Sequence, residues 1–331
     1  MSFRVGIVGC GGIAQVHAGS LMQLPQVKIA ACADIRFERA QAMAEKTGCV
    51  PYASMEEMLE KEQLDVVHLC TPHYLHVPMA ALAAEKGIAV FTEKPPVISY
   101  EQWETLQEAA KKVPLGICFQ NRYNANTREA ERIIASGEYG KLVGSRAFVT
   151  WQRTVPYYVE SGWRGTWATE GGGALINQAI HTLDLMVRFM GKPETVEAHM
   201  ANHHLKNVIE VEDTLEAYML FGGRPGIFFA TTAYSQNAPI MLELQLEGAT
   251  LRLQNDALEI MEPGKPAQVR TFTQPDKLGK GYWGNGHLPC IADFYDALEN
   301  KRPFQNDIES VRATVETYLA IYEQGKKDLQ K

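Results

Sequence analysis

Several broad classes of function find little support in this chain. Its 331 residues hold six cysteines, Cys10, Cys32, Cys49, Cys70, Cys118 and Cys290, and no C-x-x-C pair. That spacing supplies neither a zinc framework nor a disulfide ladder. Cys32, Cys70 and Cys118 fall in apolar, strand-like runs, where cysteine behaves as a small hydrophobe. The pattern fits a reducing cytoplasm. Positive charge is nowhere concentrated: Lys and Arg total 32 against 39 Asp and Glu, a net charge of −7. No partnership with nucleic acid or an anionic membrane is expected. No apolar run approaches the length of a membrane span. There is no internal repeat and no low-complexity stretch. A strand pattern begins at about Phe3, which leaves no room for a signal peptide. His203 and His204 are adjacent, but no Cys or acidic residue stands at ligand spacing, so no metal site is expected.

What is present is an alternation. Phe3–Val8 (FRVGIV) reads as a short apolar strand that runs into Gly9-Cys10-Gly11-Gly12-Ile13-Ala14 and then a helix to about Leu24. This is G-x-G-x-x-A between a strand and a helix. Gly9 permits the tight turn, Gly11 lets backbone approach a pyrophosphate, and Ala14 allows close helix–strand packing. The helix start adds N–H groups and a positive dipole end. A second strand, Val27–Ala33, ends at Asp34, twenty residues after Ala14. An acidic side chain there accepts from adenosine ribose hydroxyls and repels a 2′-phosphate, which favours NAD over NADP. Arg36 partly opposes that preference, and an ordinary helix N-cap is the competing role for Asp34. Further strands are expected at Asp65–Cys70, Ile88–Phe91 and Leu115–Phe119, with helices between them. Such βαβ units imply a doubly wound parallel sheet with ligands beyond the carboxyl ends of its strands. Gly9–Ala14, Thr71–His73, Glu93–Pro95 and Gln120–Tyr123 all lie at such ends. Residues 1–121 thus form one domain; beyond them a helix at Asn126–Ser136 and the Gly171–Asp184 element are followed by several strands without intervening helices, which predicts a second α/β domain (122–331) with an open, mostly antiparallel or mixed sheet. For the closing helices two placements stay open, in the second domain or packed back on the first.

One stretch of the second domain stands out. Glu170–Asp184 reads EGGGALINQAIHTLD, three glycines leading into an apolar helix expected to run to about Phe189. Four of its polar members, Asn177, His181, Asp184 and Arg188, are spaced four, three and four apart, on one narrow stripe. A polar stripe on a buried helix fits either a ligand site or a row of satisfied buried polar groups. Just before it, Tyr157, Tyr158, Trp163 and Arg164 form an aromatic and polar run suited to the C–H faces and acidic groups of sugars, or else to domain packing. Arg122 and Tyr282 are further candidates for substrate contact.

These motifs together resemble the Gfo/Idh/MocA oxidoreductases, the glucose–fructose oxidoreductase and inositol dehydrogenase type. The resemblance rests on GCGGIA (Gly9–Ala14), CAD (Cys32–Asp34), TPHYLH (Thr71–His76), EKP (Glu93–Pro95) and EGGGALINQAIHTLD, and on the closing helices. It implies a Rossmann domain followed by an open-sheet α/β domain, with the active site in the cleft between them. It implies NAD as cofactor, a sugar, cyclitol or sugar derivative as substrate, and a homodimer or homotetramer formed through the second sheet. Lys94 is then expected beside the nicotinamide and the substrate hydroxyl, and His181 as proton acceptor. Glu93 is expected on the nicotinamide ribose, with Thr71, Pro72, His73 and His76 along the cofactor. The family pattern usually has aspartate four residues before the histidine, where this chain has Asn177. An amide orients a hydroxyl but does not hold a proton near neutrality. That substitution resembles the branch acting on nucleotide sugars or other glycosides. Two alternatives stay open: an NAD-retaining glycosidase working by oxidation, elimination and re-reduction, and a non-catalytic NAD-binding ligand sensor.

Overall fold

The computed structural model describes residues 2–272 and 286–329. In chain order the first run is β1 (Phe3–Val8), α1 (Gly12–Leu21), β2 (Val27–Ala33), α2 (Phe37–Thr47), β3 (Val50–Tyr52), α3 (Met55–Lys61), β4 (Val66–Leu69), α4 (His76–Glu85), β5 (Ala89–Thr92), α5 (Tyr100–Ala110) and β6 (Leu115–Ile117). The second run is α6 (Ala125–Ser136), β7 (Leu142–Thr150), α7 (Val155–Val159), a π-helical turn at Ala174–Ala179, α8 (Ile180–Met190), β8 (Thr195–Ala201), β9 (Thr214–Phe221), β10 (Arg224–Thr231), β11 (Met241–Leu246), β12 (Thr250–Gln254), β13 (Ala257–Met261) and β14 (Gln268–Thr271). Helices α9 (His287–Asn300) and α10 (Ile308–Gly325) follow. The chain divides into two compact units, Met1–Gln120 with Asp276–Val311, and Asn121–Pro275 with Arg312–Lys331.

In the first unit six parallel strands run in the order β3-β2-β1-β4-β5-β6. Every residue of β4 and of β5 is buried, as expected for strands covered on both faces. Serine starts two of the covering helices: Ser54 Oγ accepts from the Glu57 N–H and Ser99 Oγ from the Gln102 N–H. Helix α9 packs against α1 within this unit. The strand order reverses between β1 and β4, which marks the crevice where such sheets hold ligands. Gly9, Thr71 and Glu93 follow β1, β4 and β5 at that edge.

The second unit holds an eight-stranded mixed sheet, β14-β13-β12-β11-β7-β10-β9-β8. Only β7 and β10 pair in parallel. Strands β13 and β14 were not expected from periodicity. The signal for the first is the two-residue turn Asn255-Asp256 between the paired Gln254 and Ala257, with Asn255 at φ 52°. A short polar residue at positive φ is what a tight hairpin turn asks for.

Helix α8 is anchored by a buried ion pair. Arg122 donates from Nε to Asp184 Oδ2 at 2.8 Å and from Nη2 to Asp184 Oδ1 at 2.5 Å. The Thr314 hydroxyl completes the site at 2.7 Å. Arg122 is 1% exposed and Asp184 0%. This corrects the expectation that Arg122 meets substrate: its guanidinium is used in a buried fork with a carboxylate. Removing one partner leaves the other charge buried and unpaired. Asp184→Ala is therefore expected to cost about 3–5 kcal/mol in urea unfolding. Replacing Arg122 and Asp184 together by leucine should recover most of that loss. A double variant as unstable as the sum of its singles would show that the two do not act as a pair.

Candidate active site

The first unit carries the nucleotide-type features. Gly9 has φ 84°, and a Cβ there would lie 2.7 Å from the Cys70 carbonyl oxygen, so the turn and the neighbouring strand both demand glycine. At Gly11 and Gly12 an added Cβ would meet no protein atom within 4 Å. Packing does not require glycine at these two positions, and the backbone there faces open space. Helix α1 begins there with no side-chain cap and no acidic residue in its first turn, while Ala14 is buried against the sheet. Such a bare N-terminus suits phosphate oxygens. Ile13 continues the turn into the helix. Asp34 accepts from the Cys10 N–H at 2.7 Å and from the Arg36 N–H at 2.8 Å. Its carboxylate is thus oriented by the glycine turn itself, while the Arg36 side chain is exposed. The donor set fits a dinucleotide.

The turns after β4 and β5 lie next along the same edge. Thr71 Oγ1 is buried and has no hydrogen-bond partner among the described residues, as expected of a group reserved for a ligand. Pro72 is half-buried and His73 buried. His76 is used internally: its ring nitrogens face the Pro95 and Thr71 carbonyl oxygens at 2.8 and 2.9 Å. It ties the Thr71–His73 turn to the E-K-P turn, and burial pushes its pKa down. Glu93 is also engaged. Oε1 lies 2.9 Å from His17 Nε2, and Oε2 accepts from the Lys94 N–H at 3.2 Å. Burial opposes its charge, but His17, His287 and Lys94 hold the carboxyl well below the usual range. Burial opposes a charge on His17 too, yet Cys70, Cys118 and Glu93 keep its pKa well above the ordinary value. His17, Glu93 and Cys118 bring possible metal-ligand atoms within 4.8 Å of one another. As the structure stands, His17 and Glu93 bond to each other. Lys94 is half-buried at this turn.

The second unit carries the aromatic and histidine features. The helix with His181 does not begin as a regular α-helix; it opens with a π-helical turn, Ala174–Ala179, and becomes α-helical at Ile180. The reason is how its orphan N–H groups are satisfied. The Glu212 carboxylate accepts from the N–H of Gly173 at 2.9 Å and of Leu175 at 3.0 Å, and from the Tyr322 hydroxyl at 2.9 Å. The Tyr322 oxygen accepts from the Ile176 N–H at 3.1 Å. A Cβ at Gly172 would lie 2.1 Å from the Tyr322 hydroxyl, and one at Gly173 would lie 2.0 Å from the Glu212 carbonyl oxygen. The glycines therefore let Tyr322 and the Glu212 strand end press against this segment. The polar stripe divides at the same time. Asp184 and Arg188 form ion pairs with Arg122 and Glu131, whereas Asn177 and His181 are half-buried ahead of them.

Asn177 sits in a polar cluster. Its amide donates to Glu170 Oε1 at 2.5 Å and to the Tyr157 hydroxyl at 3.3 Å. Tyr157 also accepts from Gln178 Nε2 at 2.7 Å. The Arg164 guanidinium lies 4.3 Å from the Tyr157 ring centroid and 4.8 Å from that of Trp163. Tyr157, Trp163, Arg164 and Asn177 are thus brought together. Tyr158 meets Tyr157 edge-on, ring centroids 5.0 Å apart, but is itself buried in a core cluster with Leu205, Ile209 and Val211. His203 and His204 are exposed. Tyr282 lies outside the described residues.

Comparison with known proteins places these features. Residues 3–118 match the profile of the oxidoreductase family with an NAD-binding Rossmann fold, and residues 127–252 match the GFO/IDH/MocA C-terminal domain. The chain belongs to the GFO/IDH/MocA oxidoreductase family. It is similar to D-glucoside 3-dehydrogenase of Escherichia coli (strain K12), 32% identical over 59% of this chain and 57% of that protein. It is also similar to the rhizopine catabolism protein MocA of Rhizobium meliloti, 30% identical over 58% of this chain and 59% of that one. Those matches span under three-fifths of each relative. A longer likeness joins it to the WlbA dehydrogenase from Bordetella pertussis, solved with NADH and UDP-GlcNAcA. That structure is 27% identical, with a TM-score of 0.86 over 98% of this chain and 97% of the other. Among the described residues no helix is long and apolar enough to cross a membrane.

For this GFO/IDH/MocA chain the sequence pattern missed Glu170, Glu212, Tyr322 and His17. Glu170 opens the very motif that drew attention, so its acidic side chain before three glycines was the available signal. Glu212 and Tyr322 had none. Glu170 is 1% exposed, and burial pushes its carboxyl up to about 7. A pKa raised above the unfolded value favours the protonated folded form. The stability it contributes is full below the ordinary carboxylate range and is lost as pH rises through about 7. Glu170→Gln removes that titration. From pH 4.5 to pH 8 the variant should gain on the wild type by on the order of 2–3 kcal/mol in denaturant midpoints at matched m. A difference curve that stays flat would show that Glu170 is ionised throughout.

Proposed function

We propose that this chain is an NAD-dependent dehydrogenase that moves hydride between a secondary hydroxyl of a sugar, cyclitol or sugar derivative and the nicotinamide. The observation that carries the reading is the Gly9–Ala14 turn. It has backbone without packing need for glycine at Gly11 and Gly12, a bare helix start, and Asp34 fastened behind it. Asp34 would accept from ribose hydroxyls and disfavour a 2′-phosphate, so NAD is preferred to NADP. Bound NAD would supply the hydride acceptor. The chain's own groups manage the proton. An imidazole exchanges protons near neutrality, which suits His181 as general base. A lysine ammonium stabilises a developing alkoxide, which suits Lys94. Asn177 holds no proton, so it orients: tied to Glu170 and Tyr157, it presents an amide of settled direction. The rings of Tyr157 and Trp163 suit sugar faces, and Arg164 suits an acidic group on the substrate. The asparagine and the length of the likeness to WlbA favour the nucleotide-sugar or glycoside branch.

Two coarser features follow from the same reading. All six cysteines are buried and free, which suits a reducing cytoplasm. Strands β9 and β10 present Tyr218 and Ile227 on a face 45% and 47% exposed at those residues, which suits a homo-oligomer formed through this sheet.

The deciding measurement is NADH absorbance on mixing protein and NAD with inositols, free sugars, glycosides and nucleotide sugars in turn. One class should produce NADH. Product without net NADH would point instead to the NAD-retaining glycosidase, and NAD binding with no turnover to a ligand sensor. His181→Ala should lower kcat by about 10²–10⁴-fold while NAD affinity is kept. Unchanged turnover would sink that assignment. Asp34→Ala should relax the preference for NAD; a wild type that already prefers NADP would reverse the reading of Asp34.

A further inference from the structure

The Lys94 turn rests on a buried chain of hydrogen bonds that neither phosphate binding nor alcohol chemistry by itself requires. From α9, Tyr295 Oη lies 2.9 Å from His68 Nε2 in β4. His68 Nδ1 lies 2.9 Å from His17 Nδ1 in α1. His17 Nε2 lies 2.9 Å from Glu93 Oε1 just after β5, and Glu93 Oε2 receives the Lys94 N–H. Tyr295, His68 and His17 are each 0% exposed and Glu93 is 5% exposed. Four elements that share no neighbouring sequence thus meet in one line that ends on the main chain of Lys94.

The proton positions follow from counting donors. A carboxylate only accepts, so His17 Nε2 carries a hydrogen toward Glu93. Two facing Nδ1 atoms cannot both donate. With His17 neutral, its Nδ1 accepts, His68 Nδ1 donates, His68 Nε2 accepts, and the Tyr295 hydroxyl donates. With His17 protonated, the two outer links reverse, while the donation to Glu93 is unchanged. In either charge state Glu93 keeps its donor. The groups facing His17 are His68, Phe91, His287, Cys70, Cys118 and Glu93, so no exposed ion competes for it.

We propose that His17 is a positioning residue for Lys94, acting through Glu93, with His68 and Tyr295 holding the His17 ring in the orientation that serves the carboxylate. This rests on the assignment of Lys94 to the alcohol chemistry above. A buried carboxylate deprived of a donor must rotate or take up a proton. Rotation withdraws the acceptor from the Lys94 N–H, and protonation cancels the negative charge that Lys94 feels.

The test uses the full chain with His17→Leu, His17→Gln and Tyr295→Phe. The glutamine amide restores a donor toward Glu93. His17→Leu should lower kcat by about 10- to 100-fold, the usual cost of a misplaced reacting group, and should move the pH midpoint of kcat, while KM for NAD changes little. His17→Gln should recover much of kcat. Tyr295→Phe, a milder change, should move the pH midpoint in the same direction, and it keeps the test open if His17→Leu does not fold. A raised KM for NAD with unchanged kcat would overturn the proposal and assign Glu93 to the cofactor alone. So would equal losses in His17→Leu and His17→Gln. A second readout needs no turnover: the NMR titration of ¹³C-methylated Lys94, identified by its loss in Lys94→Arg. It should shift in His17→Leu and return toward the wild type in His17→Gln. If no alcohol gives NADH, the dehydrogenase reading falls, and this titration still decides the positioning role; an unmoved Lys94 signal overturns it.

Discussion

A carboxylate removed from water must be met by donors, and this structure is arranged around that requirement. Six acidic side chains are buried among the described residues, and four of them each gather a different part of the chain. Glu93 joins His17 to the backbone of Lys94. Asp184 joins Arg122 to Thr314. Glu212 closes the start of the His181 helix with Tyr322. Glu170 joins the Gly165 N–H to the Asn177 amide. Apolar burial provides the bulk of the driving force, but these sites decide which backbone groups meet which side chains.

The same requirement explains the glycines. In the first turn Gly9 answers to a neighbouring carbonyl, whereas Gly11 and Gly12 answer to no protein atom. Before the His181 helix the situation is the opposite: Gly172 and Gly173 are crowded by Tyr322 and by the strand end at Glu212. Two glycine-rich segments that look alike on paper thus have different settings, open space beside Gly11 and Gly12 and internal packing around Gly172 and Gly173. The π-turn just ahead of His181 follows directly on these glycines. Such turns are frequent at functional sites because they aim a side chain where a regular helix would not.

Asn177 takes its meaning from this setting. Alone, an amide in place of the family's usual aspartate removes a proton-holding group. Beside it, Glu170 places an acidic group within hydrogen-bond reach of the amide. Asn177 is thereby a donor held in a fixed direction by Glu170 and Tyr157.

Most of the fold was legible from local pattern. The strand–glycine–helix unit, the acidic end of β2, the apolar runs of β4 and β5 and the change to successive strands after the first domain all depend on residues within a turn or two of one another. Asp34 and Gly9–Ala14 were proposed from that local pattern, and Lys94 and His181 from the resemblance to a family. The hairpin at Asn255-Asp256 was not expected, although Asn at its turn is among the residue types that accept a positive φ. What tertiary structure alone decided was which distant group each polar side chain meets. Arg122 finds Asp184 across 62 residues, Tyr322 finds Glu212 across 110, and His68 finds Tyr295 across 227. Periodicity and motif spacing carry no record of such pairings, because a side chain's charge, protonation and purpose are set by neighbours that only the folded chain brings near.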